Sequence, residues 1–237
     1  MSKLENKTAL ITGGSKGIGL GIAEAMLQEG MNVAITGRTE SIKEVAAQLN
    51  SKAYIGRALG LQADVTDLDQ MENAVYTVIS TWGILDVVIA NAGVGHFAPI
   101  QEMSAEKWHQ TIDTNLTGVF NTVKPVIEPL SKSKGYLFTI ASLAGTNFFA
   151  NGSAYNASKF GLVGFTQAIM LDLRKLGIRV STIMPGSVTS HFNYHIRSDK
   201  DDWKIQPEDI GQMIVDVLHL HPRTLPSKIE VRPSLPN

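Results

Sequence analysis

Apolar and polar positions follow two alternating periods along this chain. Short β-branched or apolar runs stand at Thr8–Thr12, Val33–Thr36, Ala58–Ala63, Val87–Ala90, Tyr136–Ile140, Arg179–Met184 and Ile229–Val231. Between them lie longer stretches of helical spacing: Ile18–Gln28, Ser41–Leu49, Leu68–Ser80, Ala105–Ile127, Ala154–Leu176 and Pro207–Leu218. Runs that are apolar almost throughout predict strands covered on both faces. Strand and helix in strict turn predict parallel βαβ units in three layers. The expected fold class is α/β, a single doubly wound sheet of about seven parallel strands with helices on both faces. Right-handed crossovers then place binding chemistry just beyond the carboxyl ends of the strands.

Length and composition add limits to this picture. The 237 residues are enough for one large domain with its own core. Charged residues make up 18% and hydrophobic ones 43%, an ordinary balance for a folded globule. With 21 basic and 22 acidic residues the formal net charge is -1, so no polybasic surface for nucleic acid or anionic membrane is expected. No apolar run approaches the length of a spanning helix. The first strand begins near Lys7, which leaves no room for a signal peptide, and a cytoplasmic protein is expected. There are no cysteines, hence no disulfide, thiolate metal site or cysteine nucleophile. His191 and His195 are four apart, but His191 is not followed by Glu and no third ligand is evident, so no metal site is expected.

The carboxyl end of the first run reads Thr12-Gly13-Gly14-Ser15-Lys16-Gly17-Ile18-Gly19, and a helix follows at once. Glycines let backbone N–H groups approach a phosphate that a β-carbon would hold off. A helix amino terminus adds free donors and partial positive charge. The segment reads either as a pyrophosphate cradle or as a plain strand-to-helix turn. Its spacing, G-x-x-x-G-x-G, is not the common G-x-G-x-x-G. It resembles the fingerprint of the short-chain dehydrogenases/reductases, a family with a Rossmann-type fold.

Later motifs fit the same family in the same order, over residues 7 to about 190. Asp64-Val65 follows the third run, Asn91-Ala92-Gly93 the fourth, and Asn115 lies in the next helical stretch. Ser142 closes the fifth run, Tyr155-Asn156-Ala157-Ser158-Lys159 opens the next helix, and Pro185-Gly186-Ser187-Val188-Thr189 ends the sixth run. Tyr155 and Lys159 are four apart, so they share one helix face. An ammonium group beside a phenol favours the phenolate and would draw its pKa from about 10 toward neutrality, the range useful for acid–base work. A helix-surface contact is the plain alternative for this pair.

Carried over position by position, the resemblance implies the following roles. Tyr155 protonates a carbonyl oxygen and Ser142 donates a hydrogen bond to it, as a small oxyanion site would. Lys159 binds the nicotinamide ribose and lowers the tyrosine pKa. Asn115 bends its helix and holds a water that links Lys159 to solvent. Gly13, Ser15, Lys16, Gly17, Ile18 and Gly19 cradle the pyrophosphate. Asp64 and Val65 meet the adenine, with helix capping as the other reading of Asp64. Asn91, Ala92 and Gly93 pass close to the adenine ribose, Asn91 also steadying the sheet. Pro185 and Gly186 shape the nicotinamide pocket, Thr189 reaches the carboxamide or a phosphate, and Val188 is a further cofactor contact. Taken singly, Ser142 could be a turn cap, Asn115 a satisfied buried amide and Pro185-Gly186 a turn.

The position where an NAD-selecting acid would sit is Gly37, and Arg38 follows it. Arg38 and Lys16 together suit a 2′-phosphate, so NADP(H) is the expected cofactor. The expected activity is hydride transfer between NADP(H) and a small carbonyl or secondary alcohol, carried by one domain over 1–237 with a substrate-covering segment at about 187–206. Phe192, Tyr194 and Trp203 in that segment, and Phe97, Phe148 and Phe149 in other loops, read either as an apolar pocket or as packing. A non-catalytic NADP-binding redox sensor is the alternative, one that would have little use for Ser142, Tyr155, Lys159 and Asn115 together. An extended-family epimerase would need a longer chain. No glycine follows Gly211, and the ending Ile229-Glu230-Val231-Arg232-Pro233 lacks the V-D-G-G close of common ketoacyl reductases. That weakens the expectation of a carrier-protein substrate and of a tetramer. Family members pair through the helices 105–127 and 154–176, where Gly161, Gly164 and Ala168 permit close approach, so a homodimer or homotetramer is expected.

Overall fold

A computed structural model describes residues 2–189 and 199–235. Seven strands form one sheet: β1 (Thr8–Thr12), β2 (Asn32–Gly37), β3 (Ala58–Gln62), β4 (Val87–Ala90), β5 (Tyr136–Ile140), β6 (Arg179–Pro185) and β7 (Lys228–Val231). Their order is β3-β2-β1-β4-β5-β6-β7 and every pairing is parallel. The sequence order reverses between β1 and β4, so the crevice of a doubly wound sheet opens at the carboxyl ends of those two strands.

The helices are α1 (Gly17–Gln28), α2 (Ile42–Ser51), α3 (Leu68–Trp82), α4 (Ala105–Ile112), α5 (Gly118–Val123), α6 (Ile127–Ser133), α7 (Ser153–Leu173) and α8 (Pro207–His219). Alternate strand residues feed two apolar layers. Ala9, Ile11, Val33 and Ile35 pack with Ile22, Met26, Ile210 and Ile214 from α1 and α8. Leu10, Ala34 and Val88 pack on the other face with Val75 and Val78 of α3, Val119 of α5 and Leu162 of α7. Covering both faces is what lets β1 and β4 be buried along their whole length.

The expected helix 105–127 is not one helix. It is broken into α4, a π-helical turn at Asp113–Thr117, α5, a 3-10 turn at Lys124–Val126 and α6. Pro125 has no N–H to give the α-helical ladder, which accounts for the second break. The π turn widens the helix at Asn115, whose buried side chain bonds outside its own helix. The expected 154–176 helix likewise ends in a 3-10 turn, at Arg174–Leu176, stopped by Gly177 at φ +79°.

In the expected covering segment, Val188 and Ile205 pair through a parallel bridge. His191, Phe192, Tyr194 and His195 lie outside the described residues. Among the described residues, no helix is long and apolar enough to cross a membrane. Among them, too, no cluster of three His, Asp or Glu side chains is placed to hold a metal ion.

Candidate active site

A cleft of about 660 Å³ runs across the carboxyl ends of the strands. It is lined by Gly13, Ser15, Lys16, Gly17 and Ile18 after β1, by Arg38 after β2, and by Asp64 and Val65 after β3. Asn91, Ala92 and Gly93 follow from β4, Ser142 from β5, Tyr155 and Lys159 from α7, and Pro185, Gly186 and Val188 from β6. The sequence separation of these groups is erased by the topology, which delivers every strand end to one edge of the sheet. Gly19, Asn115 and Thr189 are not on the lining.

The loop after β1 is built for close approach. Gly13 has φ +66°, and a β-carbon there would stand 2.9 Å from the Ala92 Cα. At Gly19 a β-carbon would come within 2.4 Å of the Gly13 carbonyl oxygen, so Gly19 serves the loop's packing and not the cleft surface. Asn91 locks the loop from the other side. Its Nδ2 donates to the carbonyls of Thr12 and Gly13, at 2.8 and 3.1 Å, and its N–H donates to the Thr12 hydroxyl at 3.0 Å. The role of Asn91 in steadying the sheet is thus visible directly. α1 starts after Lys16 with no side-chain cap, so its first-turn N–H groups face the cradle without a competing side chain. A cradle that a β-carbon would fill, a bare helix amino terminus, and Lys16 with Arg38 on the lining together fit a phosphorylated dinucleotide.

Asp64 lies on the cleft lining but does not cap the following helix. Its Oδ1 accepts from the N–H and the hydroxyl of Thr66, each at 2.9 Å, while the residue lines the cleft. The true N-cap of α3 is Asp67, which accepts from the Gln70 N–H at 3.1 Å.

At the other end of the cleft stand Ser142, Tyr155 and Lys159. Ser142 follows β5 in extended backbone and caps the turn Leu143–Gly145, its Oγ accepting from the Ala144 N–H at 3.1 Å. Its side chain also hydrogen-bonds the Tyr155 phenol. Lys159 is buried beneath, with Nζ 5.6 Å from the centre of the Tyr155 ring and 3.0 Å from the Ile140 carbonyl oxygen, to which it donates.

Electrostatics here differ from the expected lowering of the tyrosine. Burial pushes the Tyr155 phenol up to about 12, offset only in part by Ser142. Burial also pulls the Lys159 ammonium down to about 8. The reason is desolvation: the lysine keeps a single hydrogen bond to a strand carbonyl in place of its water, and taking both groups out of water disfavours both ions.

Asn115 is buried and fully engaged. Its Oδ1 accepts from the Val94 N–H at 2.8 Å, and its Nδ2 donates to the Val94 carbonyl at 2.8 Å and the Ser158 hydroxyl at 3.0 Å. Ser158 in turn donates to the Tyr155 carbonyl at 2.8 Å. Asn115 therefore ties the loop after β4, by its side chain, to the turn of α7 that carries Tyr155 and Ser158. Thr189 is also turned away from the cleft. It is buried, accepting from the Gln206 amide at 3.1 Å and donating to the Asp201 carbonyl at 3.2 Å.

Two residues went unread in the sequence. Asn156, inside the Tyr-to-Lys motif, donates to the carbonyls of Ala144 and Asn147, both at 2.8 Å, and so fastens the loop that carries Ser142. Its place within the motif was the available signal. Lys204 lines the cleft and pairs with Asp201 at 2.5 Å. No spacing announces it, because the Val188–Ile205 bridge that brings it there is a tertiary pairing.

A doubly wound sheet with a phosphate cradle at one end of its crevice and a hydroxyl pair over a buried lysine at the other defines a Rossmann-type oxidoreductase. Residues 7–201 match the short chain dehydrogenase family, and the chain belongs to it. It acts as an oxidoreductase on CH–OH/C=O groups. Among curated relatives, a 3-oxoacyl-[acyl-carrier-protein] reductase of Chlamydia muridarum is 34% identical over 85% of this chain and 82% of its own length. An uncharacterized oxidoreductase of Staphylococcus saprophyticus is 32% identical over 98% of this chain and 100% of its own. Among solved structures, an alcohol dehydrogenase from Thermococcus sibiricus complexed with 5-hydroxy-NADP is 26% identical with a TM-score of 0.88, covering 96% of this chain and 97% of that one.

Proposed function

We propose that the protein is an NADP(H)-dependent reductase of small carbonyl compounds, working in reverse on the secondary alcohols. The observation that carries this reading is the hydrogen-bonded pair of Ser142 and Tyr155 over Lys159, at the end of the cleft opposite Lys16 and Arg38. The bound dinucleotide would supply the hydride. Lys16 and Arg38 would hold its 2′-phosphate, the turn Gly13–Gly17 its pyrophosphate, and Lys159 its nicotinamide ribose. Gly37 leaves that 2′-phosphate without a facing acid.

Ser142 donates to the substrate carbonyl oxygen and Tyr155 protonates it, so the oxygen never carries a full negative charge. In the direction of alcohol oxidation the phenol must first lose its proton. Held at about 12, it does so only with positive charge beside it, and Lys159 supplies that charge below about pH 8. Asn115 and Asn156 act on the reaction through position alone, by fixing Tyr155 and the Ser142 loop. The relatives include 3-oxoacyl reductases, which supports a 3-keto or 3-hydroxy acyl compound among the substrates. One domain spans 1–237, and a homo-oligomer forms through the outer faces of α5 and α7, where Phe120 and Phe160 are exposed; sedimentation measures its size.

The test is Tyr155→Phe. The variant keeps NADPH binding, followed by nicotinamide fluorescence, and loses about 10²–10⁴-fold in turnover of a carbonyl substrate. Turnover at the parent rate would overturn the assignment of the acid.

A further inference from the structure

We infer that Phe97 and Phe149 form the specificity wall for the substrate, and that the preferred substrates are ketones bearing an aryl or similarly bulky apolar group on the carbonyl carbon. This rests on the reductase reading of the same site and names its substrate class. Phe97 follows His96, a residue of the cleft lining. Its ring meets the Tyr155 ring edge-on, with centroids 5.4 Å apart at 61°. Phe149, from the loop after β5, lies against Phe97 at 5.9 Å and 46°. The two rings thus follow one another in contact from the ring of the proposed acid, beside the cleft lining.

Both rings keep much of their surface exposed, 38% for Phe97 and 48% for Phe149. Exposed aromatic residues on mobile loops would carry little meaning, but these are fastened. The Ala98 N–H donates to the Asn151 carbonyl at 3.0 Å, joining the two loops. Asn156 clamps the carbonyls of Ala144 and Asn147 just ahead of Phe149. Gly152 completes the fastening, since a β-carbon there would stand 2.6 Å from the Phe149 ring. A rigid aromatic pair of this kind presents apolar area at little ordering cost to a ligand ring, in offset or edge geometry. Ser142 holds the Tyr155 hydroxyl while Phe97 touches its ring, so a substituent resting on Phe97 brings its carbonyl alongside the acid.

The experiment compares phenyl methyl ketone with butanone, which share the reacting group and differ in the substituent. The kcat/KM ratio, phenyl over alkyl, is measured with NADPH for the parent protein and for Phe97→Ala and Phe149→Ala. The expected result is a parent ratio well above one, a tenfold or greater fall in that ratio for Phe97→Ala, and a smaller fall for Phe149→Ala. A parent ratio near one, or a Phe97→Ala variant that lowers both ketones equally, would overturn the wall while leaving the reductase reading intact. Failure of the parent protein to oxidise NADPH with any carbonyl would instead overturn the reductase reading. If Phe97→Ala no longer binds NADPH, Phe97→Leu and Phe149→Ala carry the comparison, and an unchanged ratio in both counts against the wall.

Discussion

Replacing Lys159 by Met should make the ligand-free protein more stable at neutral pH while removing its activity. Burial holds the Lys159 ammonium at about 8, against 10.5 for a free lysine side chain. Between those pH values the unfolded chain binds more protons than the folded one, so stability rises as pH climbs from 8 to 10.5 and the whole penalty is present below 8. At about 1.4 kcal/mol for each step of one in pH, the gap corresponds to about 3 kcal/mol. Met fills a similar volume and carries no charge to desolvate. It also gives up the 3.0 Å bond to the Ile140 carbonyl, a loss of about 1 kcal/mol. The net gain at pH 7 is about 2 kcal/mol, or a rise of roughly 4–8 °C in Tm for a chain of this size. Thermal unfolding of both proteins from pH 6.5 to 9.5 is the assay, and the gap between them must shrink as pH rises. Tyr155 works in the opposite sense: held at about 12, it keeps its proton when the unfolded chain has lost it, so its contribution to stability falls between pH 10 and 12, above the assay range. A Met variant less stable than its parent at pH 7, or a gap independent of pH, would refute the claim that Lys159 sits as a desolvated cation.

Two further outcomes test other parts of the structure. Arg38→Ala should raise the KM for NADPH about 10–100-fold and leave that for NADH nearly unchanged, because only the 2′-phosphate loses a charge-assisted bond; initial rates with both cofactors measure it. Asp86→Ala should lower stability by about 2–3 kcal/mol, seen as a Tm drop of roughly 4–12 °C. Buried Asp86 accepts from the Lys7 ammonium at 2.8 Å and the Thr8 N–H at 2.9 Å, tying the start of β4 to the start of β1.

Burial by distant segments also explains why parts of this molecule are legible in sequence and others are not. The strands were legible because a sheet covered on both faces demands near-continuous apolar runs, and Val87–Ala90 and Tyr136–Ile140 satisfy that demand residue for residue. The cleft was legible because fixed topology delivers whatever follows each strand to one edge. What failed depends on contacts between distant segments. Helical spacing runs unbroken through Asn115, yet the π turn there coincides with bonds to Val94 and Ser158 that no local pattern encodes. The bonds of the Thr189 hydroxyl to Gln206 and Asp201 are likewise invisible in sequence, because the Val188–Ile205 bridge delivers those partners. The same distinction governs Tyr155 and Lys159. Spacing places them on one helix face, whereas their proton affinities depend on how much water the rest of the fold removes, and that removal is the leading cause of both shifts. A site built this way is primed to respond to whatever charge enters the cleft, since groups held at about 12 and about 8 in a desolvated setting feel an added ion more strongly than exposed ones would.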